Sequence, residues 1–399
     1  MRPDELTLIR PDRRKHRRAV VDFTAKTFGR PYWTWLAHCR DSYFDHAPYD
    51  WSASIIGLHD GRIVTHWGVW DVQMRIGRAS AVRVGGIGAV CTHGELRKCG
   101  LMARTALAAC EAMREAGYDM SLLFGISDFY DRFGYVRAWP GQTYHVRAGD
   151  LPAGRPAPRL RRIAPRHRPE LAALYNRCHA GLTGTAIRPT YLRREKDWKG
   201  HMWLDASGRP AGYVFTATWD RAFGLYDYAG ETSEVLAAVA RLARREGAGK
   251  VQFPSLHYDS DLAARLRRGN CRLEVGYRKC GGAMVRTLNL ASAVGKLAGE
   301  LSRRLKRSHL ADWRGKLLLA DSREKVVLAI DRGKVTPGPP GAAKHAIRGG
   351  DAIAQLLIGT DEPDQTAAAH GIRVSGDARK LLGVLFPSQH PMLESWDHF

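Results

Sequence analysis

The 399-residue sequence lacks any apolar run approaching the ~18–20 residues that a membrane-spanning helix requires. It also lacks a CxxC pair, and its seven scattered cysteines cannot all pair within one chain because their number is odd. We therefore expect reduced thiols, with neither a disulfide framework nor a zinc site. Arginine-rich residues 10–18 precede no apolar segment or cleavage site, so we predict no targeting signal and a cytoplasmic protein.

Acidic residues are scarce relative to basic ones. The 62 Lys and Arg residues against 40 Asp and Glu residues give a net charge of +22 at pH 7. Such a charge attracts polyanions, and nucleic acid, an anionic membrane surface and a phosphate-bearing cofactor are the candidates. The sequence lacks the zinc-finger spacing, RNP-like aromatic motif and heptad basic region of nucleic-acid-binding proteins. Surface arginine without a specific partner is the simplest explanation of the charge.

The length of the chain predicts several domains rather than one hydrophobic core. Residues 151–169 are rich in proline and arginine, and the character of the sequence changes again near Met284. We therefore predict domains at 1–150, 151–284 and 285–399. The middle domain repeats the strand and helix pattern of the first without its glycine-containing turn, and the third has the pattern of a compact α+β module.

In the first domain, the turn signal Asp60-Gly61 predicts a β-hairpin, and Gly117 marks the end of a helix with regular apolar spacing. Strand, glycine-containing turn, helix and strand then form a βαβ unit, which brings the N-terminus of the helix beside the end of a strand. The predicted elements are strands at 54–58, 62–70 and 81–90, a helix at 101–116 and a strand at 120–124.

The most informative stretch runs from Val90 to Met102, VCTHGELRKCGLM. A strand that turns through Arg97-x-x-Gly100 into a helix offers unpaired backbone N–H groups and the positive end of the helix dipole, which suit a pyrophosphate. Gly100 allows close approach to the backbone, while Arg97 and Lys98 add positive charge. Because RxxG alone occurs by chance in many chains, its context decides its meaning.

That context is a second motif at residues 129–135, FYDRFGY, one short strand later. Together the two motifs resemble the GNAT acetyltransferases, in which (Q/R)xxGx(G/A) follows a strand and an FYxxxGF-like turn comes later. Arg97-x-x-Gly100-x-Met102 matches the first motif except that Met102 replaces the usual small residue. Residues 129–135 match the second motif closely.

Within that superfamily, the layout resembles the enhanced intracellular survival (Eis) family. The resemblance covers essentially the whole chain, through residues 90–101 near the cofactor turn and residues 385–387 with Phe399 at the C-terminal end, although Gly94 stands where proline is common. It implies an α+β fold in which tandem GNAT folds, with mixed central sheets flanked by helices, precede a sterol-carrier-like α+β domain. It also implies a homo-oligomer such as a hexamer.

The resemblance implies direct transfer of an acetyl group from acetyl-CoA to an amine, without a metal. Tyr130 would protonate the departing CoA thiolate, and the α-carboxylate of Phe399, inserted into the first domain, would accept the amine proton. Backbone groups of 87–90 would hold the pantetheine arm and thioester, and the turn at 97–102 would bind pyrophosphate. The implied cofactor-binding residues are Ile87, Gly88, Ala89, Val90, Arg97, Lys98, Cys99, Gly100, Leu101 and Met102.

We expect an aminoglycoside-like polyamine or a lysine-type amine as the acceptor, although the net charge opposes a polycation unless acidic residues override it locally. His93 is better explained as a capping or packing residue than as a base. The tryptophans that either line an acceptor pocket or pack in the core are Trp33, Trp51, Trp67 and Trp139. The acidic candidates for the pocket are Asp22, Asp41, Asp45, Asp50, Asp128 and Asp397.

The alternative to an enzyme is a non-catalytic basic protein that uses the same scaffold to bind nucleic acid or another anionic partner. Gly100 and Tyr130 together oppose this alternative, because a binding protein does not need a proton donor beside a phosphate-binding turn. We therefore expect a small-molecule or lysine-type amine substrate, with no membrane partner, and we disfavour nucleic acid.

Overall fold

The computed structural model describes residues 2–28, 44, 48–151, 158–188, 199–219 and 222–399. Three residues of the predicted acceptor pocket, Trp33, Asp41 and Asp45, lie outside this range. Within the described range, no helix is long and apolar enough to cross a bilayer.

Three β-sheets and their helices make up the described structure. The strands are β1 (Thr7–Ile9), β2 (Ile55–His59), β3 (Arg62–Ile76), β4 (Ser80–Thr92), β5 (Met120–Ile126), β6 (Val136–Trp139), β7 (Gly141–Arg147), β8 (Arg161–Arg162), β9 (Ala186–Ile187), β10 (Lys199–Leu204), β11 (Pro210–Trp219), β12 (Ala222–Ala229), β13 (Lys250–Pro254), β14 (Arg272–Gly276), β15 (Cys280–Thr287), β16 (Arg314–Ala320), β17 (Lys325–Asp331), β18 (Lys334–Gly338), β19 (His345–Arg348) and β20 (Arg373–Ser375). The α-helices are α1 (Arg13–Phe28), α2 (Leu101–Glu115), α3 (Ser127–Tyr130), α4 (Arg168–Cys178), α5 (Thr232–Arg245), α6 (Asp261–Arg267), α7 (Leu290–Lys306), α8 (Ile353–Ile358), α9 (Pro363–Ala369) and α10 (Ala378–Leu385).

The first sheet has the strand order β1-β2-β3-β4-β5-β15-β6, with β9 beside β3. The predicted hairpin is confirmed as β2 and β3, and its turn residues Asp60 and Gly61 have positive φ angles of 48° and 73°, as a two-residue turn between twisted strands requires. The predicted βαβ unit is also confirmed. Strands β4 and β5 are parallel, and α2 connects them.

The second sheet repeats this arrangement. Its order is β14-β7-β13-β12-β11-β10-β8, and its one parallel pair among the described strands, β12 and β13, is connected by α5. In both sheets an antiparallel hairpin leads into the parallel pair, and two further antiparallel strands lie beyond it. The chain therefore contains two copies of one sheet topology.

The two sheets exchange strands, so their membership differs from the predicted segments. Strand β7 precedes residue 150 but pairs with β13 in the second sheet, and β15 begins before residue 284 but pairs with β5 in the first. Pro140 alone separates β6 of the first sheet from β7 of the second. In each sheet, the strand next to the parallel pair thus comes from the other part of the chain.

The third sheet, with the order β18-β17-β16-β19-β20, belongs to the C-terminal module. A continuous apolar cluster joins this module to one face of the first sheet, where Val84 and Leu122 belong to the same core as Leu297 of α7. A different cluster on the first sheet includes Ile87 and Leu123 together with residues of α2. Since side chains alternate along a strand, α2 and the C-terminal module cover opposite faces of the first sheet.

Candidate active site

The parallel strands β4 and β5 separate partway along their length. They pair only where residues 84–87 face residues 120–123, although β4 continues to Thr92 and β5 to Ile126. Beyond this point each strand is held by its outer neighbour, as Gly88 pairs with β3 and Gly125 with β15. The separation leaves backbone groups on the inner edges available to an extended ligand. The predicted pantetheine-binding residues 87–90 lie at the start of this opening.

A bulge in β4 shapes one side of the opening. Ala89 has a φ of 50°, and the register of β4 against β3 shifts between His66 and Gly68. His66 is fully buried, with Nδ1 2.8 Å from the Ala89 carbonyl oxygen and Nε2 2.8 Å from the Tyr49 hydroxyl. Burial lowers the pKa of His66 to about 4, so the ring is neutral. We assign Nδ1–H as the donor to the Ala89 carbonyl oxygen, and this hydrogen bond stabilises the bulge.

His66 was not singled out in the sequence, where it reads as one polar residue within an apolar strand. Its function depends on a contact with Ala89, 23 residues later, and on the bulge itself. Neither feature produces a local pattern that a sequence could reveal.

The turn from β4 into α2 presents a run of free backbone donors. For the N–H groups of residues 97–102, no acceptor is found among the described residues. Lys98 and Gly100 both have left-handed φ angles, 65° and 75°, which turn successive N–H groups toward one concave surface. The side chains of Arg97 and Lys98 are exposed, without an ion-pair partner in the described part of the chain. This arrangement fits a pyrophosphate.

Tyr130 closes the opening on the α2 side of the sheet. Its ring lies over Gly125, where a Cβ atom would overlap it, and it packs edge-to-face on Trp67 with ring centroids 5.8 Å apart. Among the described residues, no hydrogen-bond partner is found for its hydroxyl group. Burial raises the pKa of Tyr130 to about 12, so the phenol remains protonated at neutral pH.

Phe399 reaches the opening from the other face. Its ring lies against Gly86, where a Cβ atom would overlap it, and its centroid is 5.6 Å from that of Phe124. The ring of His398 stacks on Phe124 at 4.0 Å. Phe124 belongs with the apolar side chains on the C-terminal module's face, whereas Tyr130 packs with the cluster that contains α2. The two predicted catalytic residues therefore flank the opening from opposite faces of the sheet.

The four described acidic residues proposed for the acceptor pocket each contact another side chain. Asp22 pairs with Lys26 at 2.9 Å, Asp128 with Lys279 at 2.8 Å, and Asp397 with a buried arginine at 2.9 Å, while Asp50 accepts a hydrogen bond from Tyr118 at 2.7 Å. Each described carboxylate thus has a different partner. Their clustering around a polycation is not supported by these contacts.

The described tryptophans of the same prediction mostly pack in the interior. Trp67 and Trp139 are buried, the former against Tyr130, and Trp51 contacts Tyr49 edge-to-face at 4.7 Å. His93 is exposed, and its backbone N–H bonds to the Val64 carbonyl at 2.8 Å. Core packing describes Trp67, whereas Trp139 is buried and also lines a cleft beside Gly125.

Other features of the described residues bear on ligands. A cleft of about 650 Å³ is lined by Gly125, by Asp351 and His370 of the C-terminal module, and by Tyr277 and Lys279 of the link between β14 and β15. No group of three or more His, Cys, Asp or Glu side chains in the described ranges could hold a metal ion.

Part of the chain matches a known family of protein domains. Residues 9–138, which contain the opening and the turn at 97–102, match the acetyltransferase (GNAT) domain family. The chain therefore contains a GNAT acetyltransferase domain. No curated protein sequence is significantly similar to it.

Solved structures share the fold over almost the whole chain. A GCN5-related N-acetyltransferase from Kribbella flavida has a TM-score of 0.74 at 17% identity, covering 99% of this chain and 98% of that one. One from Anabaena variabilis ATCC 29413 has a TM-score of 0.74 at 14% identity, covering 99% and 100%. Eis1 from Mycobacterium abscessus has a TM-score of 0.68 at 15% identity, with the same coverage. The predicted fold class, α+β with tandem GNAT folds and a further domain, is confirmed.

Proposed function

We propose that this protein is an acetyl-CoA-dependent N-acetyltransferase that transfers acetyl directly to an amine, either an aminoglycoside or a lysine-type amine. The observation that carries the proposal is the opening between β4 and β5, which lies between a run of unpaired N–H groups at 97–102 and the protonated hydroxyl of Tyr130. GNAT domains use acetyl-CoA, whose thioester supplies the activated acyl group.

Binding of CoA follows from the unpaired groups. The amides of 97–102 and the exposed Arg97 and Lys98 side chains hold the pyrophosphate, since helix N-termini and left-handed turns favour anions. The inner edge of 87–90 hydrogen-bonds the extended pantetheine arm as a neighbouring strand would. The bulge at Ala89, fixed by His66, orients the backbone beside the thioester.

Tyr130 acts as the general acid. Because burial raises its pKa to about 12, the phenol is protonated at neutral pH and can donate its proton to the departing thiolate when the sulfur lies within hydrogen-bond reach. Its hydroxyl has no partner in the described part of the chain, so the proton is available for transfer.

The carboxylate of Phe399 accepts the proton of the attacking amine. A terminal carboxylate has a pKa of ~3.3–3.7 and is ionised at neutral pH. Because Phe399 and Tyr130 approach from opposite faces of the sheet, the amine is deprotonated on one side of the thioester and the sulfur is protonated on the other.

A panel of amines that includes aminoglycosides and lysine derivatives, incubated with acetyl-CoA while free thiol is monitored, tests the proposed reaction. We expect at least one amine to release thiol faster than water does and to gain one acetyl group by mass spectrometry. Binding of CoA without acetylation of any amine in the panel would contradict the proposal.

A tag tests the role of Phe399. A short extension after Phe399 converts its carboxylate into a peptide carbonyl, so we expect turnover of the best amine to fall by about 100-fold, the scale of a lost general base. The same tag at the N-terminus is the control and should leave turnover near that of the untagged protein. Equal rates for both tagged proteins would mean that Phe399 is only structural.

A further inference from the structure

The last residues of the chain connect the two sheets. The N–H of Met392 bonds to the Thr183 carbonyl at 3.0 Å, and the buried Glu394 carboxylate lies 3.2 Å from Nε2 of His179. Trp396 then packs on Phe215 of the second sheet, with ring centroids 4.5 Å apart. We call residues 392–399 the tail. It runs along the second sheet before it ends in the opening of the first.

One buried side chain holds the tail close to its end. The guanidinium of Arg188 donates to Asp397 through Nε and Nη2, both at 2.9 Å, and to both carboxylate oxygens of Asp227 at 3.0 Å. It also stacks 3.5 Å above the ring centroid of Tyr175. The Arg188 side chain is only 3% exposed, so these contacts are shielded from water.

The position of Arg188 relates three parts of the fold. It directly follows β9, which pairs with β3 of the first sheet. Asp227 lies on β12 of the second sheet, and Asp397 lies two residues before Phe399. The Arg188 side chain therefore joins the tail to the second sheet.

We propose that Arg188 is a positioning residue that seats Phe399 in the opening of the first sheet by holding Asp397. Two carboxylates share one guanidinium, and their side chains differ in exposure: Asp227 is fully buried, whereas Asp397 is 13% exposed. Without Arg188, the buried carboxylates are left uncompensated. Of the two carboxylates, only that of Asp397 can move into solvent. Phe399, two residues later, then leaves its contact with Gly86 in the opening of the first sheet. The catalytic consequence rests on the proposed function.

The test compares Arg188→Met and Asp397→Asn with Asp227→Asn. All three remove charge from the same cluster, but only the first two remove the ion pair with the tail. Release of Phe399 by a carboxypeptidase reports directly on whether Phe399 is held in the opening of the first sheet, and it requires no acetyltransferase activity. We expect the first two variants to release Phe399 about tenfold faster or more than the wild type, and Asp227→Asn to remain close to wild type although its thermal midpoint falls.

Turnover is measured on the same proteins. Arg188→Met and Asp397→Asn should lower kcat by about tenfold or more while the KM for acetyl-CoA changes by less than about twofold, because CoA contacts are untouched. Faster release of Phe399 with unchanged kcat would support the anchoring and overturn the role of the terminus as base. Unchanged release in folded Arg188→Met and Asp397→Asn overturns the anchoring itself. If Arg188→Met does not fold, Asp397→Asn decides alone.

The contact between the Phe399 ring and Gly86 is tested independently by a substitution at Gly86. A Cβ there would overlap the Phe399 ring, and Gly86 does not have a left-handed φ, so Gly86→Ala acts on Phe399 without backbone strain. We expect it to raise carboxypeptidase release of Phe399 as the Asp397 variant does. Gly85→Ala is the matched control, because a Cβ at Gly85 meets Met113 on the opposite face of β4. Equal release from both alanine variants would contradict the proposal that Phe399 is held against Gly86.

Discussion

The two sheets have the same topology but differ at the point where a ligand would enter. In each, a parallel pair of strands separates after a few residues and is connected by a crossover helix. In the first sheet, the N–H groups of 97–102 are unpaired in the described structure. In the second, the Glu231 carboxylate accepts from the N–H groups of Ser233 and Glu234, both at 3.1 Å. The two helix N-termini thus differ in whether their N–H groups have acceptors, although the fold around them is the same.

The second opening is also filled. Glu394 of the tail lies beside Tyr228 and Leu256 there, leaving a cavity of about 10 Å³. The tail therefore occupies the opening of one sheet and contributes its last residue to the other. Under the proposed function, the same tail fills the second opening and carries the terminal carboxylate to the first.

Gly100→Val should have the largest effect on CoA binding. A side chain at this position obstructs the phosphate and shifts the N–H groups, and loss of two charge-assisted hydrogen bonds at ~1.5 kcal/mol each weakens CoA binding by about 100-fold or more. Calorimetry should then detect no binding.

The control for this variant lies at the other end of α2. Gly117 has nearly the same left-handed φ as Gly100, 77° against 75°, so Gly117→Val adds a similar backbone strain of ~1–2 kcal/mol. A Cβ at Gly117 meets nothing within 4 Å, and one at Gly100 meets only Pro3, at 3.3 Å. We expect Gly117→Val to bind CoA normally. Wild-type affinity in Gly100→Val would refute the phosphate site.

Tyr130→Phe should lower kcat by about 100-fold, the scale of general acid catalysis, while the Kd for acetyl-CoA changes little. Tyr258 offers a control, because it follows the end of β13 by four residues, as Tyr130 follows the end of β5. Its ring lies under Arg267 at 4.0 Å and near His390 at 4.6 Å. Tyr258→Phe should retain near wild-type turnover. If both variants lose activity equally, the loss reflects general structure rather than proton donation.

The stoichiometry of CoA binding tests whether the second sheet also holds a cofactor. The Glu231 carboxylate accepts from two N–H groups at the N-terminus of α5, and the tail fills the opening of the second sheet. We therefore expect one CoA per chain by calorimetry. A value near two would mean that the second sheet is not degenerate.

The features predicted from the sequence are those with local causes. Apolar spacing and Gly117 place helix α2 within one residue of its observed end, at Glu115 rather than 116. The turn at Gly100 is visible because only a few residue types favour a left-handed φ.

Features that depend on contacts between distant parts of the chain were not predicted, because they have no local cause in the sequence. The pairing of β7 with β13 joins segments about 100 residues apart, and Arg188 contacts Asp397 across 209 residues. Neither contact changes the local pattern of the sequence. An acidic residue at a helix N-terminus such as Glu231 is a local signal, but its meaning emerges only when the two sheets are compared.

Variants of Glu231 should have the smallest effect and separate its two contributions. Glu231→Ala removes the acceptor for two N–H groups and should cost ~1 kcal/mol, seen as a thermal midpoint lower by ~1–2 °C. Glu231→Gln keeps an acceptor oxygen but loses the charge, so it should cost only a few tenths of a kcal/mol, the scale of a charge beside a helix end. Neither variant should bind a second CoA, because Glu394 still occupies the opening. A second binding event in Glu231→Gln would show that the charge alone excludes the cofactor from the second sheet, and that the tail yields to it.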